Sequence, residues 1–311
     1  MSATIPVPSA AVDEDQHVTK VTFWTRLRRH KLAIAGLIVL VLMVSAAVFA
    51  SQLAPIDPNA IDNVHWQGTP LPPCFQDASQ CGGHILGTDE VGRDLLSRLL
   101  FGARISLMVG LFAVLMEVVI GSVLGAISGY YGGWTDWIIM RVTDVFLSIP
   151  LLPLLLVLTA IVAASSSKAS LNFGVIVLII GALSWMGVAR LVRASFLSLR
   201  EREFAEAARA VGNNDARIIF RHLLPNAVAP IVVQATLDVA GVIVLESTLS
   251  FLGLGIQPPT ASWGNMLSNA QSNLQTAWWA AVFPGLCILV TVLAINYMGD
   301  GLRDALDPNM Q

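Results

Sequence analysis

Long apolar runs alternate with short polar segments along this chain. The runs that carry no charged residue, or only one or two, are Leu32–Leu53, Ile105–Ser128, Val145–Ala164, Phe173–Ala189, Ala227–Leu252 and Ala280–Met298. A helix needs about 20 residues to cross the ~30 Å apolar core of a bilayer. The fourth run reaches that length by continuing to about Ala194, so the pattern predicts six membrane-spanning helices. Pro150 and Pro153 are expected to kink the third, because proline removes a helix hydrogen bond.

Composition supports a membrane protein and argues against other classes. The 311 residues are 55% hydrophobic and only 13% charged, whereas soluble domains carry about 25% charged residues. The net charge of −3 argues against nucleic-acid binding, which needs a basic surface. The predicted fold class is therefore an all-α, polytopic membrane protein.

Basic residues are distributed unevenly, and this asymmetry predicts the orientation. They cluster before the first run and between the fourth and fifth, at Lys20, Arg26, Arg28, Arg29, Lys31, Arg190, Arg193, Arg200, Arg202, Arg209, Arg217 and Arg221. Because basic residues accumulate on the cytoplasmic side, both termini are expected there. The prediction is a cytoplasmic tail over 1–31, a membrane domain over 32–300 with an extracytoplasmic loop at 54–104, and a cytoplasmic tail over 301–311.

The loop at 54–104 changes character along its length. Its first part is rich in prolines and turn residues and is expected to be irregular. Its last part places Leu95, Leu96, Leu99 and Leu100 at helical spacing, which predicts an amphipathic surface helix leading into the second span. Local ion pairs are expected between its basic and acidic residues, which are Arg93, Arg98, Arg104, Asp89, Glu90 and Asp94.

Two of the three cysteines lie in that loop. Cys74 and Cys81 bracket a polar stretch, whereas Cys287 lies within the last apolar run. Outside the membrane, cysteines in such a setting form disulfides, so we expect a bridge between Cys74 and Cys81. Two free thiols are the alternative. The five histidines have no metal-site spacing, and no metal site is expected.

Three acidic residues fall inside predicted spans. Glu117, Asp238 and Glu246 are costly there, by about 2.5–3.5 kcal/mol for Asp at the centre of a helix on insertion scales. They are therefore expected to face the bundle or a subunit interface. Either they contact the transported substrate or its amino group, or they join helices by polar contacts. Arg141 and Asp144, at i and i+3, are expected to form a local ion pair.

The segment EAARAVGNNDARIIFRHLLPN, residues 206–226, is a polar island between the fourth and fifth runs. Glu206 to Val211 predict a short helix with a small-residue face at Ala207, Ala208 and Val211. Gly212 is expected to end it in a left-handed conformation, Asp215 to cap a second short helix, and Pro225 to break the chain. An ordinary solvated loop is the alternative.

The island resembles the "EAA loop" of permease subunits in binding-protein-dependent, ATP-driven importers. Further stretches are similar to the C-type permease of dipeptide and oligopeptide importers over nearly the whole chain: FWTRLRRHKLAIAGL, LGTDEVGRDLLSRLLFGARISL, ESTLSFLGLGIQPPTASWGNML and GDGLRDALDP. His222 departs from the family, which often has Ile there. The resemblance implies that the loop over 196–226 holds a coupling helix docking in a cytosolic ATPase, with contacts from Glu206, Ala207, Ala208, Arg209, Gly212 and Arg217.

The resemblance also implies the partners and the location. These are a homologous second permease, cytosolic ATPase subunits, an extracytoplasmic binding protein, a peptide substrate and the lipid of a bacterial inner membrane. The chain has no G-x-x-x-x-G-K-[ST] loop and no G-x-S-x-G elbow, so ATP and Mg²⁺ are expected on partner subunits, and no catalytic residue or cofactor is expected here. Related importers for nickel, haem or glutathione are the alternative substrate classes, and a gated channel or an intramembrane enzyme are the alternative classes of function.

Overall fold

The architecture is given by a computed structural model, which describes residues 30–165 and 172–306. Most of the predicted N-terminal tail and the last residues of the C-terminal tail lie outside the described residues. The first helices are α1 (Lys31–Val48), α2 (Ala50–Leu53), α3 (Leu95–Tyr131), α4 (Gly133–Ser148), α5 (Leu151–Ser165), α6 (Phe173–Ser184) and α7 (Met186–Leu199). They are followed by α8 (Glu203–Ala210), α9 (Asp215–Arg217), a π-helical turn (Ile218–Leu223), α10 (Leu224–Phe251), α11 (Trp263–Ala270) and α12 (Trp279–Leu306).

The described residues give six membrane crossings when each pair of helices joined by a bend is counted as one crossing. Among the described residues, four helical stretches are long and apolar enough to cross a membrane alone, and two pairs reach that length together. The pair α4–α5 is bent by 85° and the pair α6–α7 by 42°. The first bend falls where Pro150 was expected to act, but it is a break between two helices rather than a kink. Pro153 lies in the first turn of α5, where its missing N–H leaves no helix bond unmade.

The second span is one uninterrupted helix of 37 residues, α3. The helix predicted around Leu95–Leu100 is present and leads into the second span, because those residues form the first turns of α3. Its predicted surface position is wrong. Asp94 caps it by accepting a hydrogen bond of 2.8 Å from Ser97 N. Leu95 and Leu99 are buried in an apolar cluster with Trp263, whose indole nitrogen donates to Leu99 O over 3.2 Å. Packing against α11 thus covers the face that sequence assigned to a surface.

A stripe of glycines joins α3 to α7. Gly121, Gly125 and Gly129 recur every fourth residue and lie on one face of α3. A Cβ atom at these positions would approach Val188 Cβ to 2.7 Å, Val192 Cβ to 2.8 Å and Phe196 Cβ to 2.6 Å. Only glycine lets the two backbones come this close, as in other membrane helix pairs.

Candidate functional site

The predicted coupling helix is α8, and Gly212 ends it as the sequence predicts. Gly212 has φ 82°, and its N–H donates to Arg209 O over 2.9 Å. The next residue closes the turn, since Asn213 N and Asn213 Nδ2 donate to Ala208 O over 3.2 and 3.1 Å. These bonds satisfy the carbonyls that a helix leaves free at its C-terminus.

Two details of the second half of the island differ from the expectation. Asn214, and not Asp215, caps α9, because its side chain accepts a hydrogen bond of 2.9 Å from Arg217 N. Pro225 does not break the chain, since it lies in the first turn of α10. The π-helical turn that contains His222 joins α9 to α10 without interruption. The island is therefore a short helix, α8, followed by helical turns that continue directly into the fifth span.

Burial divides the predicted contact residues of α8 into two groups. Ala208 is buried with Ala205 against Phe196 and Ile218, so it packs inside the protein, and the single small-residue face predicted for Ala207, Ala208 and Val211 is wrong. The residues that remain exposed are Glu206, Ala207, Arg209, Gly212 and Arg217. Ala205 and Ala208 are three residues apart and so share one face of the helix. Sequence could not reveal that face, because elements on both sides of α8 cover it.

Tyr130, in the last turn of α3, contacts residues 200–215, which include the predicted coupling helix and are called the coupling segment below. This residue was not identified from the sequence. Its hydroxyl donates a hydrogen bond of 2.7 Å to Asp215 Oδ1. The guanidinium carbon of Arg209 lies 5.9 Å from the centre of its ring. Arg200 Nη1 donates to Gly129 O and Tyr130 O over 3.1 and 3.2 Å. Arg200, Arg209 and Asp215 of this segment thus all contact the C-terminal end of α3. The only sequence signal was a tyrosine at the boundary between an apolar run and a polar one.

Ion pairs also tie α4 to α7, and they correct one prediction. Asp144 pairs with Arg190 over 2.6 Å and not with Arg141, whose guanidinium carbon lies 5.5 Å from the Trp137 ring centre. Arg193 forms a two-pronged contact with Asp136, of which the bond from Nη2 to Oδ2 measures 2.6 Å. Contacts between helices therefore replace the local pair.

Glu246 is fully buried and held by serine hydroxyls. Ser250 Oγ donates to its Oε1 over 2.7 Å, and Ser106 Oγ contacts its Oε2 over 3.5 Å. Ser106 Oγ in turn accepts from Trp263 N over 3.2 Å. This carboxyl group therefore joins α3, α10 and α11, in agreement with the expectation that it faces the bundle.

Glu117 and Asp238 meet between α3 and α10. Both side chains line one open pocket of about 520 Å³, where their carboxyl groups are close enough for their charges to interact. Glu117 is only 4% exposed, so it faces the bundle, as expected. Unlike Glu246, neither side chain is surrounded by serines.

The loop between the first two spans is folded around a disulfide and a histidine. Cys74 and Cys81 are joined, with their Cα atoms 4.9 Å apart. His84 is buried, and its ring nitrogens contact Asp94 Oδ1 at 2.8 Å and Asp62 Oδ2 at 3.2 Å. Burial opposes ionisation of Asp62, but hydrogen bonds from the His65 N–H and side chain and from other groups outweigh it, so its pKa is lowered.

The expected ion pairs of this loop form in part. Arg93 pairs with Asp89 over 2.7 Å and with Glu90 over 3.3 Å, and the buried Arg98 contacts Asp89 over 3.3 Å. Burial, and then the adjacent charge of Asp89, raises the pKa of Glu90. Arg104 instead donates to the carbonyls that end α1. Within the described ranges, no group of three or more His, Cys, Asp or Glu side chains could hold a metal ion.

Solved structures with a similar fold are ABC transporters. An inward-facing structure of the MetNI methionine ABC transporter aligns with a TM-score of 0.53 at 18% identity, covering 68% of this chain and 96% of that chain. An amino acid ABC transporter with histidines aligns with a TM-score of 0.51 at 17% identity, covering 66% and 92%. At such identities the likeness concerns the fold alone.

Sequence comparisons identify the family. Residues 121–311 match the binding-protein-dependent transport system inner membrane component, and residues 21–73 match the N-terminal TM domain of oligopeptide transport permease C. The chain is 42% identical to the dipeptide transport system permease protein DppC of Alkalihalophilus pseudofirmus, over 98% of this chain and 96% of the relative. It is 41% identical to the glutathione transport system permease protein GsiD of Pectobacterium atrosepticum, over 100% and 97%. The chain therefore belongs to the family of inner membrane components of binding-protein-dependent transport systems, the non-catalytic permease subunits of ABC importers.

Proposed function

We propose that the substrates of this permease are dipeptides and oligopeptides. The observation that carries the proposal is the near full-length similarity to relatives named for dipeptide transport, together with a relative named for oligopeptide transport, OppC of Haemophilus influenzae, at 39% identity. A second candidate is glutathione, itself a small peptide, because one relative of similar identity is named for glutathione transport. Both substrates carry a free ammonium group and carboxylates.

The importer consists of this chain, a homologous second permease, cytosolic ATPase subunits that bind ATP and Mg²⁺, and an extracytoplasmic binding protein. The positive-inside rule supports placing both termini and α8 in the cytoplasm, with the loop at 54–104 outside. The folded loop around the disulfide then faces the binding protein. The substrate passes between the two permeases, and the protein is multi-pass in the bacterial inner membrane.

The ATPase docks on the exposed residues of α8 and its flanks, which are Glu206, Ala207, Arg209, Gly212 and Arg217. Ala208 supports this surface from behind. Because Tyr130 and Arg200 tie the segment to the end of α3, closure of the ATPases moves α8 and the spans together, which is a rigid-body transition between two states.

The test is uptake by the complete importer in proteoliposomes, with radiolabelled dialanine, trialanine and glutathione as separate substrates. We expect ATP-dependent uptake of alanine peptides, and none when the ATPases are left out. Uptake of glutathione alone would assign the second candidate. Uptake without the ATPases would indicate a channel, and conversion of the peptide without uptake would indicate an enzyme.

The docking surface is tested separately with Glu206→Lys, which reverses a charge on α8. We expect transport to be abolished while the subunit remains in the membrane. The matched control is Asp300→Lys, which makes the same reversal of charge at an exposed residue of α12 rather than of α8. Equal uptake by both variants and the wild type would contradict the docking role.

A further inference from the structure

The pocket between α3 and α10 lies where two spans are interrupted. Ile149 and Pro150, at the break between α4 and α5, line it, as do Ser184 and Met186, on either side of the bend between α6 and α7. Irregular backbone at membrane depth is tolerated where it lines a cavity, and interrupted spans in transporters mark binding sites. The position of this pocket is therefore that of a ligand site.

The only ionisable side chains that line the pocket, among the described residues, are two carboxyl groups. Glu117 and Asp238 lie on its wall, and no lysine, arginine or histidine joins them. Glu117 is 4% exposed, and its Oε2 has no hydrogen-bond partner in the described parts of the chain, nor has Asp238 Oδ2. The other oxygen of Asp238, Oδ1, accepts a hydrogen bond of 2.9 Å from Gln234 Nε2, and this bond fixes the orientation of the aspartate.

Unpartnered buried carboxyl oxygens are expensive, because each loses its hydration without gaining a donor. Two carboxyl groups on the wall of one pocket also repel one another when both are charged. A single ligand group relieves both costs if it carries a positive charge and several N–H donors. A primary ammonium group has three donors, so it can bind both carboxylates at once.

The pocket also has room for such a group and the chain attached to it. Gly187 and Gly241 are on its wall, and a Cβ atom added at either would meet no atom within 4 Å. The rest of the lining is largely apolar, with residues such as Leu154 and Val242. An ammonium end between two acids and an apolar wall beside it suit the amino end of a small peptide.

We propose that Glu117 and Asp238 form a binding site, within the membrane, for the ammonium group of the transported peptide. The inference rests on the proposed function, and it assigns to this pair a role that Glu246, already supplied with serine donors, does not share. The peptide pauses at this site between the binding protein and the cytoplasm.

The test measures dialanine binding by equilibrium dialysis to the purified complex of permeases and ATPases, without the binding protein. We expect Glu117→Gln and Asp238→Asn each to weaken binding about tenfold or more, the effect of one lost charge-assisted hydrogen bond. Methylamine should displace dialanine, whereas the same concentration of sodium chloride should not. N-acetyl-dialanine, which lacks the ammonium group, should not bind. Gly241→Leu should block binding by filling the pocket without a change of charge.

Asp300→Asn is the matched control, because it removes an exposed carboxyl group of α12 that does not line the pocket. Unchanged affinity in both carboxamide variants, equal binding of N-acetyl-dialanine, or no binding to the wild type would overturn the inference. Displacement by sodium would overturn it in favour of an inorganic cation site. If a variant fails to assemble, the methylamine and N-acetyl-dialanine measurements on the wild type decide. Peptide import by the wild type tests the proposed function separately. If the wild type imports peptide and both carboxamide variants bind it with unchanged affinity, only the binding site is rejected and the proposed function stands.

Discussion

Tyr130 donates a hydrogen bond of 2.7 Å to Asp215 Oδ1, and so connects the end of α3 to the segment that follows the coupling helix. Tyr130 lies where the second apolar run ends, and Asp215 lies in the polar island between the fourth and fifth runs. Besides the covalent continuation into α7 and α10, this contact attaches the coupling segment to the bundle together with the Arg200 bonds to α3 and the packing of Ala208.

Tyr130→Phe should reduce coupling. The change keeps the ring that Arg209 contacts but removes the hydroxyl bond, which stabilises the contact by about 0.5–1.5 kcal/mol. We expect less peptide imported per ATP hydrolysed in proteoliposomes, at unchanged assembly with the ATPases. Tyr131→Phe is the control, because it makes the same chemical change at the adjacent, exposed tyrosine. An identical ratio of import to hydrolysis in both variants would reject the role of Tyr130.

Gly212→Leu should abolish transport, whereas Gly212→Asn should retain most of it. At φ 82° a leucine is strained by about 1–3 kcal/mol, but asparagine adopts the left-handed region more readily. A Cβ atom here meets no atom of this chain within 4 Å, so the strain lies in the backbone conformation and not in a clash of the Cβ atom. Uptake and the amount of subunit in the membrane should be measured together, and wild-type uptake by Gly212→Leu would contradict the requirement for this turn.

Cys74 and Cys81 should resist alkylation in the denatured, non-reduced protein, whereas Cys287 should react. The bridge closes a short loop, and the chain-entropy model gives it about 2–3 kcal/mol. Mass spectrometry of alkylated peptides with and without prior reduction checks this. Replacing both cysteines by serine should weaken docking of the binding protein and leave ATP hydrolysis unchanged. Alkylation of both before reduction would contradict the bridge and the extracytoplasmic position of the loop.

Asp62 should make the stability of the loop depend on pH. Its pKa is lower in the folded protein, so its contribution is present above the ordinary carboxyl pKa, about 4. That contribution is lost as the pH falls below this value. Asp62→Asn should therefore lower the resistance of the loop to proteolysis at pH 7, with a difference that shrinks as the solution becomes acidic. Asp57→Asn, at an exposed aspartate, is the control, and a difference that does not vary with pH would contradict the assignment.

The sequence predicted the spans well, because a bilayer imposes a minimum length on apolar runs. It predicted a kink at Pro150, because proline disfavours helix, and the structure has a complete break there. It did not predict the bend at Trp185, where no proline marks it, or the burial of Leu95 and Leu99, which depends on packing against Trp263. These features arise from contacts between distant parts of the chain.

The candidate site divides in the same way. The helix and turn of the coupling segment follow from local residue types, and Gly212 has the predicted left-handed conformation. The burial of Ala208 could not be predicted, because Phe196 and Ile218 cover it from the neighbouring elements. The inward position of Glu117 followed from the cost of a charge in lipid, but its proximity to Asp238 depends on the register between α3 and α10.

The close backbone approach of α3 and α7 at Gly121, Gly125 and Gly129 has a mechanical consequence. Side chains that interdigitate can slide past one another by changing rotamer, but two backbones in direct contact cannot. The two helices are therefore expected to move as one rigid unit over the length of α7, about 21 Å by its helical rise. One end of this unit carries Tyr130, which contacts the segment of the predicted coupling helix. Glu117 lies one turn before Gly121 on α3, whereas Asp238 lies on α10. If an ATPase docks on α8 as proposed, we expect a movement of that helix to shift α3 and α7 together and so to change the distance between Glu117 and Asp238.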